Sequence, residues 1–308
     1  MLTKESIISD LKNLGIKEGD TLFLRISYRA IGKSLIGGPQ TFIDALLEVI
    51  GKKGTAIVIV LPKRHNSILR YLNKKKKRYI AENPPTITTG IIPYFLSIQK
   101  DAIWSRNQFI PFCAIGYHAK MLMGTYTNDS IAYEPMVKIA ELNGKCLRVG
   151  GKTLIGTTHI SLTKSFEKNN CSQRRVPYGL YYKINDKWIW YDKLPSLFCT
   201  KGFENFYHKY LEKDIVLASG KLGEGKAVVT DMNKSLYLEN ILLSKSPHLL
   251  MCDDPHCLWC RYTYSFSDKS FIKYVKEEIL SYLNNRNKKH LFNIYNSIKI
   301  KIIGKSCQ

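Results

Sequence analysis

An α/β layered domain is the fold class this sequence predicts, and two observations near its N-terminus carry the prediction. Helix, strand, helix and strand signals follow one another between residues 3 and 62, and the second strand segment, TAIVIVLP (55–62), is apolar on both faces. A strand with no polar face belongs inside a parallel sheet covered on both sides.

Each element has its own local reason. Residues 3–15 place Ile7, Ile8, Leu11 and Leu14 on one helical face and stop at Gly15, a C-cap glycine. Lys17–Asp20 makes a turn and TLFLRIS (21–27) reads as a strand. In GGPQTFIDALLEVIG (37–51) a Gly-Gly turn and Pro39 open a helix whose apolar stripe is Phe42, Leu46, Leu47 and Ile50. Residues 63–90 break the pattern with a basic excursion containing Pro and Thr, of a length that in compact domains is functional or mobile. GIIPYFLSIQ (90–99) is a helix, and FCAIG (112–116) and KCLRVGG (145–151) are short strands. Further on, VPYGLYYKI, KWIWYD and KAVVTDM alternate apolar and polar residues around turn signals at Asn185-Asp186 and Gly220–Gly225. SFIKYVKEEILSYLNN (270–285) is a closing helix. Residues 1–285 are expected to form one domain, with 286–308 a basic tail.

The chain of 308 residues is 44 % hydrophobic, enough for a sizeable core. No apolar run approaches the roughly 20 residues that span a bilayer. MLTKESIISDLKNLG reads as an amphipathic helix rather than a signal peptide, so a cytoplasmic protein is expected, with no membrane partner. Eight cysteines lie without the framework of a small secreted scaffold and are expected to be reduced thiols. Lys plus Arg number 47 against 25 Asp plus Glu, a net charge of +22. Such a field draws anions and repels cationic small molecules. The runs KKKKR (74–78) and NRNKK (285–289) read as solvated loops, with no nucleic-acid-binding signature beside them, so nucleic acid is not an expected partner.

Several segments, taken in order, resemble the aminoglycoside 3-N-acetyltransferase (antibiotic N-acetyltransferase) family: LKNLGIKEGDTLFLRIS, IGGPQTFIDALLEVIGKKGTAIVIVLP, WSRNQFIPFCAIG, GKCLRVGG, GTTHISL, RRVPYGLYY and GKLGEGKAVV. The resemblance runs over roughly residues 5–250. It implies a three-layer α/β/α sandwich and an acyltransferase that moves acetyl from acetyl-CoA to an amine. His159 falls in the place of the family's general base; Gly156 stands where the family has a threonine, which Thr157 or Thr158 would replace with a one-residue shift. Three departures stand out. The family's His-Ser-Ser at the end of the first strand is Arg25, Ile26 and Ser27 here. Its Arg-Ser-x-His-Pro segment is Trp104, Ser105, Arg106, Asn107 and Gln108, and the carboxylate one turn after the histidine is Leu162.

Acetyl transfer needs an uncharged amine, a base for its proton and donors for the oxyanion. An imidazole with an ordinary pKa near ~6.5 suits the base, and a carboxylate normally fixes its tautomer. With Leu162 in that place, Glu134, Glu141 and Glu167 are the candidates by sequence neighbourhood. For coenzyme A, the Gly37-Gly38 helix entry offers backbone N–H groups, Ser27 lies at the strand end, Arg29 and Lys33 are placed to meet phosphates, and Ser105 joins the set from its family position. The plain alternative is a helix-entry turn. The resemblance implies an aminoglycoside-like or amino-sugar/biosynthetic amine as acceptor; the charge of the chain opposes a polycation unless the pocket itself is acidic, and favours a neutral or anionic amine. Two rival readings remain open. One is a catalytically impaired member that binds CoA or acts as a scaffold, the other an RNA-binding basic surface; a homodimer is compatible with each.

MCDDPHCLWCRY (251–262) stands outside those segments. Cys252, Cys257 and Cys260 are spaced C-x4-C-x2-C with His256 between them. Thiolate and imidazole ligands at such spacing suit a structural zinc, completed by His256 or by a distant ligand such as Cys199. Bulky Leu258-Trp259 and the charged Asp253-Asp254 argue against an iron–sulfur loop. A turn with partly buried free thiols is the commoner alternative.

Overall fold

The computed structural model describes residues 1–32, 34–61, 65–66, 89–151, 156–168, 178–184, 187–191, 199–264 and 271–285. Helix α1 (Lys4–Asn13) starts in a capping box: the Thr3 side chain accepts from the Ser6 N–H, and the Ser6 hydroxyl oxygen accepts from the Thr3 N–H. The helix stops where Gly15 turns to φ 74, as its position after the last apolar residue predicts. Strand β1 (Thr21–Ile26), the short helix α2 (Tyr28–Ile31), helix α3 (Gly38–Ile50) and strand β2 (Thr55–Ile59) follow. β1 and β2 pair in parallel, as the two-faced apolar strand requires.

After the two-residue strand β3 (His65–Asn66) come α4 (Ile91–Ser97), β4 (Ile103–Trp104), β5 (Phe112–Gly116), α5 (Ala119–Gly124), α6 (Pro135–Glu141) and β6 (Lys145–Val149). α7 (Thr158–Lys168), β7 (Tyr178–Ile184) and β8 (Lys187–Tyr191) precede a 3-10 turn at Lys201–Asn205 and α8 (Phe206–Glu212). The chain continues through β9 (Val216–Leu222), β10 (Gly225–Asp231), α9 (Met232–Lys245), α10 (Leu258–Tyr264) and α11 (Phe271–Asn285).

Seven strands form one sheet in the order β4-β5-β2-β1-β6-β10-β9, in which the neighbouring pairs β2–β1 and β1–β6 are parallel and the other pairs antiparallel. Alternation along β1 sorts the layers. Leu22 and Leu24 face one cluster with Ile7 and Leu11 of α1, Phe42 and Leu46 of α3 and Leu96 of α4. Phe23 faces the opposite cluster with Leu122 of α5, Ile139 of α6, Ile160 of α7 and Met232 of α9. The sandwich is therefore three-layered, α/β/α. A third apolar cluster, with Leu162, Phe203, Tyr210, Leu243, Trp259 and Tyr264, joins α7 and α9 to the C-terminal helices.

Two sequence expectations need adjustment. Gly220 lies inside β9, and the reversal to β10 is confined to Gly223-Glu224, because Gly223 takes the positive φ (60) that the tight turn needs. The small sheet β3-β7-β8 shows that the chain after β2 returns to pair with the hairpin near residue 180, with His65 opposite Gly179. The rest of the 63–90 excursion, the Asn185-Asp186 turn, the KKKKR run and the basic tail lie outside the described residues.

Candidate active site

Along the chain β1 is followed by β2 on one side of it, whereas the later parallel strand β6 lies on the other side. In open α/β sheets such a switch leaves a crevice beyond the carboxyl ends of the strands, where ligands bind. The residues at that end are Arg25, Ile26 and Ser27 of β1 and its exit, and Val149 and Gly150 after β6. Gly150 has φ 63, and a Cβ there would sit 2.4 Å from the Ala30 side chain and 3.2 Å from that of Ser27, so only glycine lets the two strand exits approach.

His159, in the first turn of α7, reaches this crevice. Arg25 donates from Nη2 to His159 Nδ1 at 3.3 Å. The Tyr133 ring lies tilted against the imidazole with centroids 4.9 Å apart, and Phe203 meets it edge-on at 5.1 Å. Tyr133 holds φ 67, a left-handed backbone that a bulky residue rarely adopts. Strain of that kind gathers at functional sites, and here it delivers an aromatic wall to the histidine. Burial, and then the Arg25 charge, holds the imidazole pKa well below its ordinary value. The guanidinium also lies over the Phe23 ring, 4.7 Å from its centroid. Among the described residues no carboxylate forms an ion pair with it.

This contact revises the expectation of a ready general base. A guanidinium has no acceptor, so Nδ1 takes the hydrogen bond with its lone pair and the neutral ring carries its proton on Nε2. In this arrangement His159 presents Nε2 as an N–H donor, and its Nδ1 lone pair is engaged by Arg25.

Thr157 and Thr158 are also placed differently from expectation. Both are fully buried and donate to Glu239 of α9, at 2.8 and 2.7 Å, as does Ser161 at 2.6 Å; Tyr210 hydrogen-bonds to the same carboxyl group. Their hydroxyls anchor the start of α7 and do not face the His159 ring. Burial pushes the Glu239 carboxyl upward in pKa, against the downward pull of its Ser161, Tyr210, Thr158 and Thr157 partners. The carboxylate beside α7 is thus Glu239, which sequence neighbourhood missed. Glu134 pairs with Lys138 at 3.5 Å, Glu141 is exposed, and the side chain of Glu167 lies outside the described ones. Leu162 is wholly buried in the third apolar cluster.

On the expected cofactor side, Ser27 and Arg29 are exposed, and Gly37 and Gly38 open α3 with φ 76 and 70. The Tyr28 hydroxyl lies 3.8 Å from where a Gly38 Cβ would stand, so the strand exit and the helix entry are neighbours. Lys33 lies outside the described residues. Ser105 does not join this group: it sits after β4, on the edge strand three places from β1, and its hydroxyl oxygen accepts from the Phe112 N–H at 3.0 Å. Asn107, where the resemblance puts a histidine, is a loop keystone. Its Oδ1 accepts from the N–H groups of Phe109 and Ile110, both at 2.9 Å, and its Nδ2 donates to the Thr127 carbonyl at 2.7 Å.

The metal expectation changes in one ligand. His256 is turned away, its Nδ1 3.1 Å from Glu278 Oε1, while Cys199 joins Cys252, Cys257 and Cys260 with all four sulfurs within 4.8 Å of one another.

Comparison with known proteins agrees with this architecture. Residues 23–239 match the sequence model of the family described as aminoglycoside 3-N-acetyltransferase. Aminoglycoside N(3)-acetyltransferase IX of Micromonospora chalcea is 30 % identical over 206 residues, covering 61 % of this chain and 70 % of that protein. The corresponding enzyme VIII of Streptomyces fradiae is 28 % identical over 173 residues, and the match spans 48 % of this chain and 56 % of that enzyme's length. Among solved structures, the aminoglycoside acetyltransferase AAC(3)-IVa apoenzyme superposes with a TM-score of 0.68 at 20 % identity, over 86 % of this chain and 97 % of the other. AAC-IIIb, in a binary complex with CoASH, gives 0.66 at 18 % over 79 % and 97 %. The protein is by class an acyltransferase of the α/β/α kind, with its candidate centre at a sheet switch point. The chain belongs to the aminoglycoside 3-N-acetyltransferase family. Among the described residues no helix is long and apolar enough to cross a membrane.

Proposed function

We propose that this protein transfers acetyl from acetyl-CoA to the amine of a small molecule that is not a polycation, with His159 at the reacting centre. The observation that carries the reading is the Arg25–His159 pair, set at the carboxyl ends of β1 and β6 beside Ser27 and the Gly37–Gly38 helix entry. That helix entry turns the N-terminal end of α3 toward the phosphates or amides of coenzyme A, with the Gly38 N–H already given to the Leu35 carbonyl, and exposed Arg29 adds a cation for the phosphates. In the resting arrangement the Nε2–H of His159 is suited to hold the thioester oxygen as negative charge develops there. The base role becomes available when an acceptor carrying an anionic group draws Arg25 off Nδ1.

The acceptor class follows from the same cation. A part-buried guanidinium in the crevice, in a chain of net charge +22, disfavours an ammonium-rich ligand and favours one whose carboxylate or phosphate can meet it. A second reading, a CoA-binding member without turnover, is favoured by the depressed imidazole pKa and by the apolar Leu162.

Calorimetry with acetyl-CoA, joined to thiol release in the presence of an amine panel, separates these readings for wild type and His159→Ala. Binding with turnover that is lost in the variant supports transfer. Binding without turnover in either protein leaves the second reading, and no binding removes both.

A further inference from the structure

The family's chemistry leaves one cluster unused. Cys199 enters it from the segment before the 3-10 turn Lys201–Asn205, and Cys252, Cys257 and Cys260 enter from the turn that leads into α10. Their four sulfurs lie within 4.8 Å of one another, with Cys252 and Cys260 3.5 Å apart. Four thiolates at the usual zinc–sulfur length of ~2.3 Å stand about 3.8 Å from each other at the corners of a tetrahedron. The cage therefore matches a single ion, and it is tighter than one that must enclose several irons and sulfides.

The surroundings fit ligation as well. Cys199 and Cys260 are buried, and Cys252 and Cys257 are part-buried. The Cys252 N–H donates to Cys260 Sγ at 3.3 Å, and the Cys257 N–H donates to the Asp254 carbonyl at 3.0 Å. The first of these orients a thiolate ligand, and the second closes the turn that carries Cys257. His256 pins the turn from outside by pairing with Glu278, which also receives Arg261 Nη1 at 2.6 Å.

We propose that Cys199, Cys252, Cys257 and Cys260 bind one structural zinc ion, and that this ion holds the aromatic wall of the His159 site in place. Zinc displaces the four thiol protons to solvent, leaving a tetrathiolate unit of net charge −2, with no oxidant or reductant involved. The ion joins two segments that are already stitched at their edges. Asn205 Nδ2 donates to the carbonyls of Leu249 and Met251, at 2.8 and 3.0 Å, and a Cβ at Gly202 would fall 2.0 Å from the Leu250 carbonyl oxygen. The Tyr264 hydroxyl donates to the Cys199 carbonyl at 2.9 Å. Phe203, four residues after Cys199, is fully buried and presents its edge to His159. The metal assignment stands apart from the catalytic reading, since it needs neither coenzyme A nor turnover.

The test begins with metal analysis of the full chain, purified under reducing conditions without added metal, and with its count of reactive thiols. About one zinc per chain is expected, with the four cluster thiols reacting only after a chelator is added. Exchange of the native protein with cobalt should give the intense thiolate-to-cobalt absorption of a tetrahedral four-sulfur site, a readout that does not depend on whether Cys199→Ser or Cys257→Ser folds. Less than about a tenth of an equivalent of zinc, with no uptake on titration of the reduced protein, overturns the site. So does stoichiometric iron, or a pair of disulfides among the four cysteines. For the second half, chelation should move the ring-current-shifted resonances of His159 and lower the melting temperature. A His159 spectrum unchanged by zinc removal overturns the link to the active site.

Discussion

Replacing Glu239 by alanine strips four buried hydroxyls of a shared acceptor at once. Thr157, Thr158, Ser161 and Tyr210 all bond to it, and none is more than 1 % exposed. Thr157 keeps a contact with the Ser235 hydroxyl at 3.3 Å, and Ser161 sits in a helix where its hydroxyl can turn to the carbonyl four residues earlier. Tyr210 can turn to Ser235 and Thr158, so the relief there is partial. Leaving these buried hydroxyls under-satisfied costs about 1–3 kcal/mol, and removing the side chain adds a cavity term, so the variant should lose about 2–5 kcal/mol. At about 2–4 °C per kcal/mol for a chain of this size, its melting temperature falls by about 10 °C. Glu239→Gln should lose less, about 1–2 kcal/mol, because the amide keeps the shape and one acceptor oxygen but turns an NH2 toward hydroxyls that had donated to the other. Urea unfolding followed by tryptophan fluorescence measures both. An alanine variant within about 1 kcal/mol of wild type, or a glutamine variant as damaged as the alanine one, would refute the account of Glu239 as a shared buried acceptor.

His159 titrates below its unfolded value, so stability should be complete above pH ~6.5 and decline as pH falls below it, where the unfolded chain gains a proton that the folded one resists. Arg25→Met should move the His159 titration, read by NMR, upward and shrink that acid loss; an unmoved titration would show that Arg25 does not govern the ring. Leu162→Glu, which restores the family's residue, should cost about 3 kcal/mol or more in urea unfolding and give no gain in turnover, because it buries a charge in the Phe203–Tyr210 cluster. Among amines that differ only by a carboxylate, the anionic one should have the higher kcat/KM, by a margin that shrinks with added salt; a preference for polycations would sink the acceptor assignment.

The layered fold was legible because its determinants are local. The two-faced apolar β2, the stripe of α3 and the glycine stop of α1 each read correctly from spacing alone. The site was legible only where one residue carried it. His159 stands at a helix start beside a strand exit, as its position suggested, but its partner is 134 residues away in sequence. Only parallel pairing of β1 with β6 brings Arg25 to it, and nothing in GTTHISL announces a cation. Glu239 escaped for a similar reason: it lies on α9, whose segment was not singled out, and its four partners come from the start of α7 and from α8. Ser105 failed differently, and Asn107, a departure from the family pattern, shows why. Both have the polarity of ligand-binding residues, yet their hydrogen bonds close the loop between β4 and β5, and composition does not distinguish the two uses.

Two of the substitutions that set this chain apart act on the same ring. A carboxylate at an imidazole nitrogen accepts its N–H, leaves the other nitrogen with a lone pair and supports the imidazolium, which makes a base. A guanidinium at Nδ1 does the reverse on every count: it consumes the lone pair, leaves the proton on Nε2 and opposes the imidazolium. With Leu162 where the carboxylate would be and Arg25 where the strand would end in histidine, the partner of His159 has changed sign. On the proposed function an anion would be needed to restore the base, and a ligand entering this crevice could bring one. Catalysis in this chain would thus be gated by substrate charge, with the acceptor's own carboxylate or phosphate drawing Arg25 away as it binds. An amine of the same size without that anionic group should bind and react slowly, and its rate should rise with pH as the amine itself, rather than His159, loses its proton.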